Sequence, residues 1–256
     1  MSGNGKPKVA FFDFACCEGC QLTVVDSLQT HLDLLDAVEI VQFREAISDM
    51  GEDYAIAFIE GSCTREADEA RLEKIRAQAA IVVALGACAH TGGINALKNL
   101  QPLDDVREYV YGDKADWYDT YATRPIGDVI QVDAVIPGCP IDREEFIAVV
   151  KAVLLGKSLP VPDYPVCVEC KLKENVCMFD IGKTCLGPVT RAGCGAICPT
   201  YGSECEGCRS SIPHPNTNAM MDVLRDAGLT VEEMMARFTM YNTYNVQKKQ
   251  AAKEGK

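Results

Sequence analysis

The sequence of this 256-residue chain predicts an α/β protein, with a parallel sheet first and a small cysteine-rich region after it. Two observations lead to this prediction. Short apolar runs alternate with amphipathic helical segments up to about residue 155, and eight of the fourteen cysteines then lie between Cys167 and Cys208. A hydrophobic fraction of 48% is sufficient for a core of ordinary size.

Five apolar runs have the length and composition of buried strands, being rich in Val, Ile, Phe and Ala. They cover residues 8–14, 38–43, 54–60, 80–85 and 132–136. Between them, residues 20–35, 65–79 and 143–155 have helical periodicity, and Thr64 is the expected N-cap of the second helix. Strands that alternate with helices form a parallel sheet with right-handed crossovers. We therefore expect a flavodoxin-like domain.

Cysteines follow three of the predicted strands at the point where each strand ends. Cys17 and Cys20 follow the first strand, Cys88 follows the fourth and Cys139 follows the fifth. The carboxyl ends of parallel strands meet at one edge of the sheet, where binding sites form. Neighbouring glycines would let the backbone approach a bulky group and donate N–H bonds to it. The pattern predicts one 4Fe-4S site; buried structural cysteines are the alternative.

The second region is rich in metal-ligand residues and poor in strand-like runs. Pro160, Pro162 and Pro165 indicate a linker, so we expect one domain at 1–158 and another at 159–256. The eight cysteines of the second domain are Cys167, Cys170, Cys177, Cys185, Cys194, Cys198, Cys205 and Cys208. Their spacing is typical of ferredoxin modules, which fold around two 4Fe-4S clusters. Structural zinc could use the same residues.

Charge and hydropathy exclude several classes of partner. The net charge of −12 argues against nucleic acid or an anionic membrane, and no run approaches the roughly 18 apolar residues of a membrane span. The chain opens without the charged and apolar segments of a secretory signal, so we expect free thiols and no disulfide framework.

Near the end, we expect a methionine-rich helix over residues 218–238, packing against a partner or its own core, and a disordered tail from residue 247.

Four motifs together resemble the small, electron-transferring subunit of nickel-iron hydrogenases. They are Cys17-Glu18-Gly19-Cys20, Gly86-Ala87-Cys88 with Gly92-Gly93, Pro137-Gly138-Cys139-Pro140 and Cys185-Leu186-Gly187-Pro188-Val189-Thr190. The likeness runs from about Lys8 to Arg209 and points to the multimeric cytoplasmic group that includes the sulfhydrogenase delta subunit. Members of that group lack a twin-arginine signal and a membrane anchor. The resemblance therefore implies a cytoplasmic protein without either.

The resemblance also implies which thiols hold each of three 4Fe-4S clusters. The implied sets are Cys17, Cys20, Cys88 and Cys139 for the proximal cluster, Cys194, Cys198, Cys205 and Cys208 for the medial cluster, and Cys167, Cys170, Cys177 and Cys185 for the distal cluster. The allocation between medial and distal sets stays open, because ligand pairs can cross between clusters, as in two-cluster ferredoxins.

The implied function is an iron-sulfur subunit that relays electrons between the nickel-iron site of a large subunit and a further iron-sulfur or flavin subunit during reversible H2 oxidation. The H2-activating site would belong to the large subunit. The terminal acceptor stays open between a nicotinamide, a deazaflavin, a ferredoxin and a bifurcating flavin. Two alternatives are a complex I type, quinone-linked 20 kDa iron-sulfur subunit, which carries a single cluster, and a zinc-stabilised interaction module.

Four further residues lie near the predicted sites, and the sequence leaves their roles open. Cys16 and Cys63 are each expected to be either a buried thiol or a thiol beside the ligands. Glu18, between two ligands, is either a hydrogen-bond or proton-relay group or an ordinary loop residue. His90 either donates toward a cluster or is a satisfied loop histidine.

Overall fold

A five-stranded parallel sheet forms the first part of the chain in a computed structural model that describes residues 5–254. Its strands are β1 (Lys8–Asp13), β2 (Glu39–Phe43), β3 (Ile56–Glu60), β4 (Ile81–Leu85) and β5 (Ala134–Ile136). Their order across the sheet is β2-β1-β3-β4-β5, which is the doubly wound order of flavodoxin-like folds. The predicted α/β class and all five predicted strands are confirmed.

Helices cover the two faces of this sheet. They are α1 (Gly19–Thr30), α2 (Leu32–Ala37), α3 (Glu66–Gln78), α4 (Gly86–Thr91), α5 (Leu103–Tyr111) and α6 (Arg143–Leu154). The predicted helix over 20–35 is two helices, because the backbone leaves the helical region at His31. The predicted cap at Thr64 is wrong. Arg65 is the N-cap of α3, and the Asp68 carboxylate accepts a bond from the Thr64 backbone N–H at 3.2 Å.

Alternate side chains of the strands point to opposite faces and build two separate cores. On one face the Phe11 ring stacks between the rings of Phe43 and Phe58, with centroid distances of 4.3 and 4.9 Å. On the other face Phe12 packs with Leu72 of α3 in a second buried cluster. Each such side chain, once buried, contributes about 1.5–3 kcal/mol relative to exposure. Burial of side chains on both faces of the sheet therefore holds the strands, and with them their carboxyl ends, in register.

The connection between β4 and β5 is long and was not predicted from the sequence. Besides α4 and α5 it contains the 3-10 helices Ile94–Leu100, Gly112–Trp117 and Ile126–Asp128. A 3-10 helix repeats every three residues, so an apolar pattern with a period of 3.6 does not detect it. Large aromatic side chains stand out from this connection, with Tyr109 92% and Trp117 74% exposed.

Residues 155–165 lead as irregular chain into the cysteine-rich region, which has little regular structure. This region contains α7 (Val166–Leu172), the 3-10 helix Met178–Ile181 and α8 (Ile197–Thr200). Its own buried core is small and consists of Val166, Met178, Cys185, Ala196 and Cys205. Two of these five residues are cysteines. Leu186 and Val189 of this region are buried in a further cluster with the helices that follow it.

Three helices follow the cysteine-rich region where the sequence predicted one helix and a disordered tail. They are α9 (Thr217–Asp226), α10 (Val231–Thr239) and α11 (Thr243–Glu254). Met220 and Met234 are 3% and 1% exposed and pack with Leu186 in a shared core, so the methionines serve the chain's own interior. The prediction of disorder from residue 247 is wrong as far as Glu254, and it lies outside the described residues for the last two positions.

The last helix, α11, returns to the sheet region. The Gln247 side-chain amide donates to the Asn99 carbonyl oxygen at 3.1 Å, which attaches α11 to the connection between β4 and β5. No helix within residues 5–254 is both long and apolar enough to cross a bilayer.

Arg209 joins the cysteine-rich region to the sheet region through a buried ion pair. Its guanidinium donates to the Glu145 carboxylate of α6 at 2.6 Å and to the Pro137 and Ala192 carbonyls at 2.7 and 2.9 Å. The two charged side chains are 1% and 4% exposed. Burial raises the pKa of Glu145, and the bond from Arg209 opposes that rise. Removal of either partner would leave an uncompensated charge in the interior.

We expect Arg209→Met to lower the free energy of unfolding by about 3–5 kcal/mol, because the Glu145 carboxylate loses its charged partner in a buried site. Urea denaturation of the anaerobically purified chain measures this loss. Arg225→Met is the matched control, because it breaks a pair with Asp222 whose side chains are 62% and 65% exposed. The control should cost less than about 1 kcal/mol. Equal losses in the two variants would contradict this account of Arg209.

Candidate functional site

Four cysteines from three loops meet beyond the carboxyl edge of the sheet. Cys17 and Cys20 lie at the start of α1, Cys88 lies in α4 and Cys139 follows β5. The thiols are close enough to influence one another, since Cys139 and Cys17 both raise the pKa of Cys88, and Cys88 raises that of Cys20. We call these four residues the first set. The structure thus brings together the thiols that the sequence assigned to a proximal cluster.

Glycines surround the first set at positions where a side chain would meet a thiol. A Cβ atom on Gly86 would lie 2.4 Å from the Cys20 Sγ, and one on Gly93 would lie 3.0 Å from the Cys88 Sγ. Both glycines have positive φ angles, of +81° and +53°. Only glycine adopts this conformation without strain and leaves the space open. The backbone is shaped to approach the thiols closely.

Glu60 is a buried acid that contacts the backbone of the first set. The sequence alone assigned it no role. It ends β3 with 2% of its surface exposed and accepts hydrogen bonds from the backbone N–H groups of Cys20 and Gln21 at 3.1 and 2.9 Å. These are unpaired donors at the N-terminus of α1, where a carboxylate is favoured. Burial raises the pKa of Glu60, and the two backbone bonds act against the rise. The sequence did contain a signal for this role, namely an acid at the end of an otherwise apolar strand.

Two of the accessory residues have clear surroundings. Glu18 adopts a left-handed conformation with φ of 63°, and its carboxylate pairs with Arg44. Cys63 is fully buried, and its Sγ lies 2.9 Å from the Tyr121 hydroxyl. Glu18 is therefore engaged in a surface ion pair, and Cys63 belongs to a separate polar network.

Cys16 and His90 stand closer to the first set. Cys16 lies near enough to Cys88 to raise the pKa of that thiol, so a fifth sulfur accompanies the set. Burial, with a smaller contribution from the Arg191 charge, lowers the pKa of His90 to about 4. The imidazole is accordingly neutral at physiological pH.

A second set of four cysteines surrounds a cavity in the cysteine-rich region. The cavity has a volume of about 470 Å³, and its lining includes Cys194, Cys198, Cys205 and Cys208. Cys139 of the first set and the side chains of Arg209 and Tyr241 complete the wall on the side of the sheet. The second set therefore opens directly toward the first.

A third set, consisting of Cys167, Cys170, Cys177 and Cys185, lies next to the second, since Cys185 packs with Cys205 in one buried cluster. The charges of Cys185, Cys170 and Cys177 all act on Cys167 and add to the effect of burial on its pKa. A Cβ atom on Gly187 would lie 3.3 and 3.4 Å from the Cys185 and Cys167 Sγ atoms. The Gly187 N–H and the Asn175 amide donate to Cys185 and Cys170 at 3.4 and 3.6 Å.

Residues of one set reach the next set in two places. Cys139 of the first set lines the cavity of the second, and its backbone is close enough to Cys208 to act on the pKa of that thiol. The Cys205 backbone N–H of the second set donates to the Cys185 Sγ of the third at 3.2 Å. No sequence pattern predicts such contacts, because they depend on how separate loops pack.

Burial strongly disfavours free thiolates in all three sets. It raises the pKa of Cys88 and of Cys208 to about 12 each, and that of Cys167 to about 11. Thiols with such pKa values are protonated at neutral pH unless a cationic centre binds them. Metal binding is the ordinary way in which a protein keeps several neighbouring cysteines deprotonated.

Sets of four cysteines are the ligands of 4Fe-4S clusters and also of structural zinc. Within residues 5–254, no three or more His, Cys, Asp or Glu side chains converge closely enough to bind one metal ion. Zinc holds its sulfur ligands at about 2.3 Å in a tetrahedron and therefore needs that convergence. Cysteines that ligate different irons of a 4Fe-4S cluster lie farther apart and enclose a larger space. The donor sets, the glycine clearances and the cavity all fit iron-sulfur clusters.

Comparison with protein families gives a match over residues 17–153 to the family described as NADH ubiquinone oxidoreductase, 20 Kd subunit. Two curated relatives span both the sheet and the cysteine-rich region. Sulfhydrogenase 2 subunit delta of Pyrococcus furiosus is 34% identical over 90% of this chain and 96% of its own length. A component of the F420-non-reducing hydrogenase vhu of Methanocaldococcus jannaschii is 32% identical over 93% of this chain and 94% of its own length.

A solved structure supports the same comparison. A chain of an NAD+-reducing [NiFe]-hydrogenase in the H2-reduced state aligns with a TM-score of 0.54 and 26% identity. It covers 62% of this chain and 96% of its own length. The shared part is of the size of the sheet region with the first set of cysteines.

We expect Gly86→Ala to displace the Cys20 thiol and to lower the iron bound per chain, because the new methyl group would lie 2.4 Å from that sulfur. Iron and sulfide quantitation after anaerobic purification measures the loss. Gly182→Ala is the control, since Gly182 has a similar φ of +74° and nothing within 4 Å of the added atom. Both variants carry the same backbone strain, so an equal loss of iron would refute the steric argument.

Proposed function

This chain belongs to the family of NADH ubiquinone oxidoreductase 20 kDa subunits and, within it, to the small subunits of nickel-iron hydrogenases, and we propose that it conducts electrons within such an enzyme. It is a component of an oxidoreductase. In this proposal a large subunit holds the nickel-iron site where H2 is split into two protons and two electrons. The electrons pass through this chain to a further iron-sulfur or flavin subunit, and the reaction is reversible.

The observation that carries the proposal is the serial contact between the three sets of thiols. Cys139 of the first set lines the cavity of the second set, and the Cys205 N–H of the second set donates to the Cys185 thiol of the third. Electron transfer requires redox centres placed in succession with short bonded or hydrogen-bonded paths between them. Independent structural metal sites would have no need of this arrangement.

We assign the ligands of three 4Fe-4S clusters accordingly. The first set would hold the proximal cluster, the second set the medial cluster and the third set the distal cluster. When bound, a 4Fe-4S cluster takes up and releases one electron at a time, at a potential that hydrogen bonding and burial determine. The chain's own residues would supply the thiolates, the backbone N–H donors and the dry surroundings. We also propose residues 1–158 and 159–256 as two domains that carry one and two clusters.

The quinone-linked 20 kDa subunit is the second candidate, because the matching family carries that description. The match ends at residue 153, before the eight cysteines of the second region begin. Both hydrogenase relatives extend across that region. The zinc-module alternative is weaker, since the described thiols do not converge on a point. A cytoplasmic location stays a prediction from the resemblance.

The proposal predicts about twelve iron atoms and about twelve acid-labile sulfides from this chain after anaerobic purification of the tagged protein, with the iron of the nickel-iron site and of any iron-sulfur partner in addition. Nickel should co-purify on the large subunit, and reduction under hydrogen should give paramagnetic resonance spectra of several interacting clusters. About four irons without nickel would favour the quinone-linked candidate instead. Zinc without sulfide would refute electron transfer altogether.

Replacement of Cys194 and Cys198 together by serine should remove about four of the irons and leave the rest, because the second set would keep only two thiolates. Electron transfer from hydrogen to an artificial acceptor should fall at least tenfold, since the path between the outer clusters is interrupted. Cys63→Ser is the control, as Cys63 pairs with Tyr121 outside the three sets. Full iron content in the double variant would contradict the ligand assignment.

A further inference from the structure

An exposed apolar surface lies on the cysteine-rich region, on two segments that also carry thiols of the second and third sets. Tyr201 and Leu172 are its most exposed members, at 82% and 79%. The other large apolar side chains exposed on these segments, residues 171–183 and 195–203, are Val176, Ile181 and Ile197. We call these five residues the outer patch. Solvent-exposed apolar patches of this kind mark surfaces that bind another protein.

Hydrogen bonds between the two segments make the outer patch one surface. The Asn175 amide donates to the Thr200 hydroxyl at 3.1 Å, and the Lys183 ammonium donates to the Gly202 carbonyl oxygen at 2.8 Å. Every member of the patch lies within three positions of one of these bonded residues. The five side chains are therefore grouped, whereas apolar residues scattered singly over a surface need no partner.

The outer patch surrounds exposed thiols of two different sets. Cys177 of the third set follows Val176 directly, and Cys198 of the second set follows Ile197. Both cysteines are exposed, whereas Cys185 and Cys205, at which these two sets touch, are buried. An electron carrier must come close to the centre that it oxidises. A protein seated on the outer patch would lie over both of these thiols.

The charge of this surface differs in sign from the charge of the whole chain. The two segments contain the lysines Lys171, Lys173 and Lys183 and the acids Glu174 and Asp180, which leave a net charge of +1. The whole chain has a net charge of −12. Complementary charge guides the approach of a partner and excludes proteins with the wrong sign. The outer patch therefore favours a partner with an acidic surface.

We propose that the outer patch is the docking site of an acidic iron-sulfur protein of ferredoxin type, which covers thiols of the second and third sets at once. The inference rests on the proposed function and adds the surface, the charge and the kind of the electron-accepting partner. Oxidation of H2 on the large subunit supplies two electrons and releases two protons there. Each electron that leaves this chain oxidises one of its reduced clusters and reduces one cluster of the partner. Electrons can then leave from the second set as well as from the third.

The test is the double variant Leu172→Glu with Tyr201→Glu, in the complex purified anaerobically through a tag on this chain. The two carboxylates replace apolar contact area and repel an acidic partner, while the exposed positions leave the chain's own core intact. Leu32→Glu with Leu155→Glu is the matched control, because it adds the same charge at leucines of the sheet region that are 64% and 66% exposed. Native mass spectrometry measures the subunits present, and iron and sulfide are quantified in all three preparations.

The wild-type and control complexes should contain the nickel-bearing large subunit and an acidic iron-sulfur subunit. The double variant should keep the large subunit and this chain's own iron, and its content of the acidic subunit should fall at least about tenfold, as expected on loss of central interface contacts. Added salt should release the same subunit from the wild type, because it screens the attraction to the lysines.

Four outcomes would overturn the docking proposal and leave the proposed function intact. They are equal retention of all subunits in the three preparations, loss of the large subunit or of a second copy of this chain in place of the acidic one, loss of a partner that is basic or lacks iron and sulfide, and loss of this chain's own iron. Absence of nickel, iron and sulfide from the wild-type complex would instead refute the proposed function, and the docking proposal with it.

Discussion

The cysteine-rich region has only a small apolar interior of its own, and this constraint shapes the rest of the molecule. Its core of Val166, Met178, Cys185, Ala196 and Cys205 is far smaller than the two cores that flank the sheet. Chain entropy of about 1–2 kcal/mol per ordered residue cannot be offset by so little burial. The thiols and their bound groups must therefore supply much of the free energy that orders this region. The remaining support comes from neighbours on both sides.

Those neighbours are the sheet region and the C-terminal helices. Met220 and Met234 pack against Leu186 and Val189, so later parts of the chain add apolar burial to the small core of this region. From the other side, the buried pair of Arg209 and Glu145 fixes it to α6. A buried ion pair tolerates little displacement. The free-energy cost of removing both charges from water is offset only when the two groups keep good hydrogen-bonding geometry. It therefore determines position more sharply than apolar contacts do, and it lies directly beside Cys208.

The sequence carried most of the information on the sheet and on the thiols, and less on what surrounds them. Apolar runs located every strand, because burial on both faces leaves a continuous signal. Cysteines at strand ends were informative because topology alone brings those ends together. Glu60 and Arg209 escaped notice because each acts through a tertiary contact that local composition does not encode. The 3-10 helices before β5 and the break at His31 were missed because their periodicity is short or interrupted.

The Thr91 hydroxyl, at the end of α4, donates to the carbonyl oxygen of Tyr241 in the turn between α10 and α11, and this bond has a consequence for biosynthesis. These residues are 150 positions apart, so the loop of Cys88 leaves the ribosome long before the turn that fixes it is made. Contacts of such sequence separation form late, after the loop-closure entropy has been overcome. The sheet can fold during translation, yet the wall between the first two cysteine sets is complete only once the whole chain has emerged. The complete site beside that wall is therefore a property of the finished polypeptide.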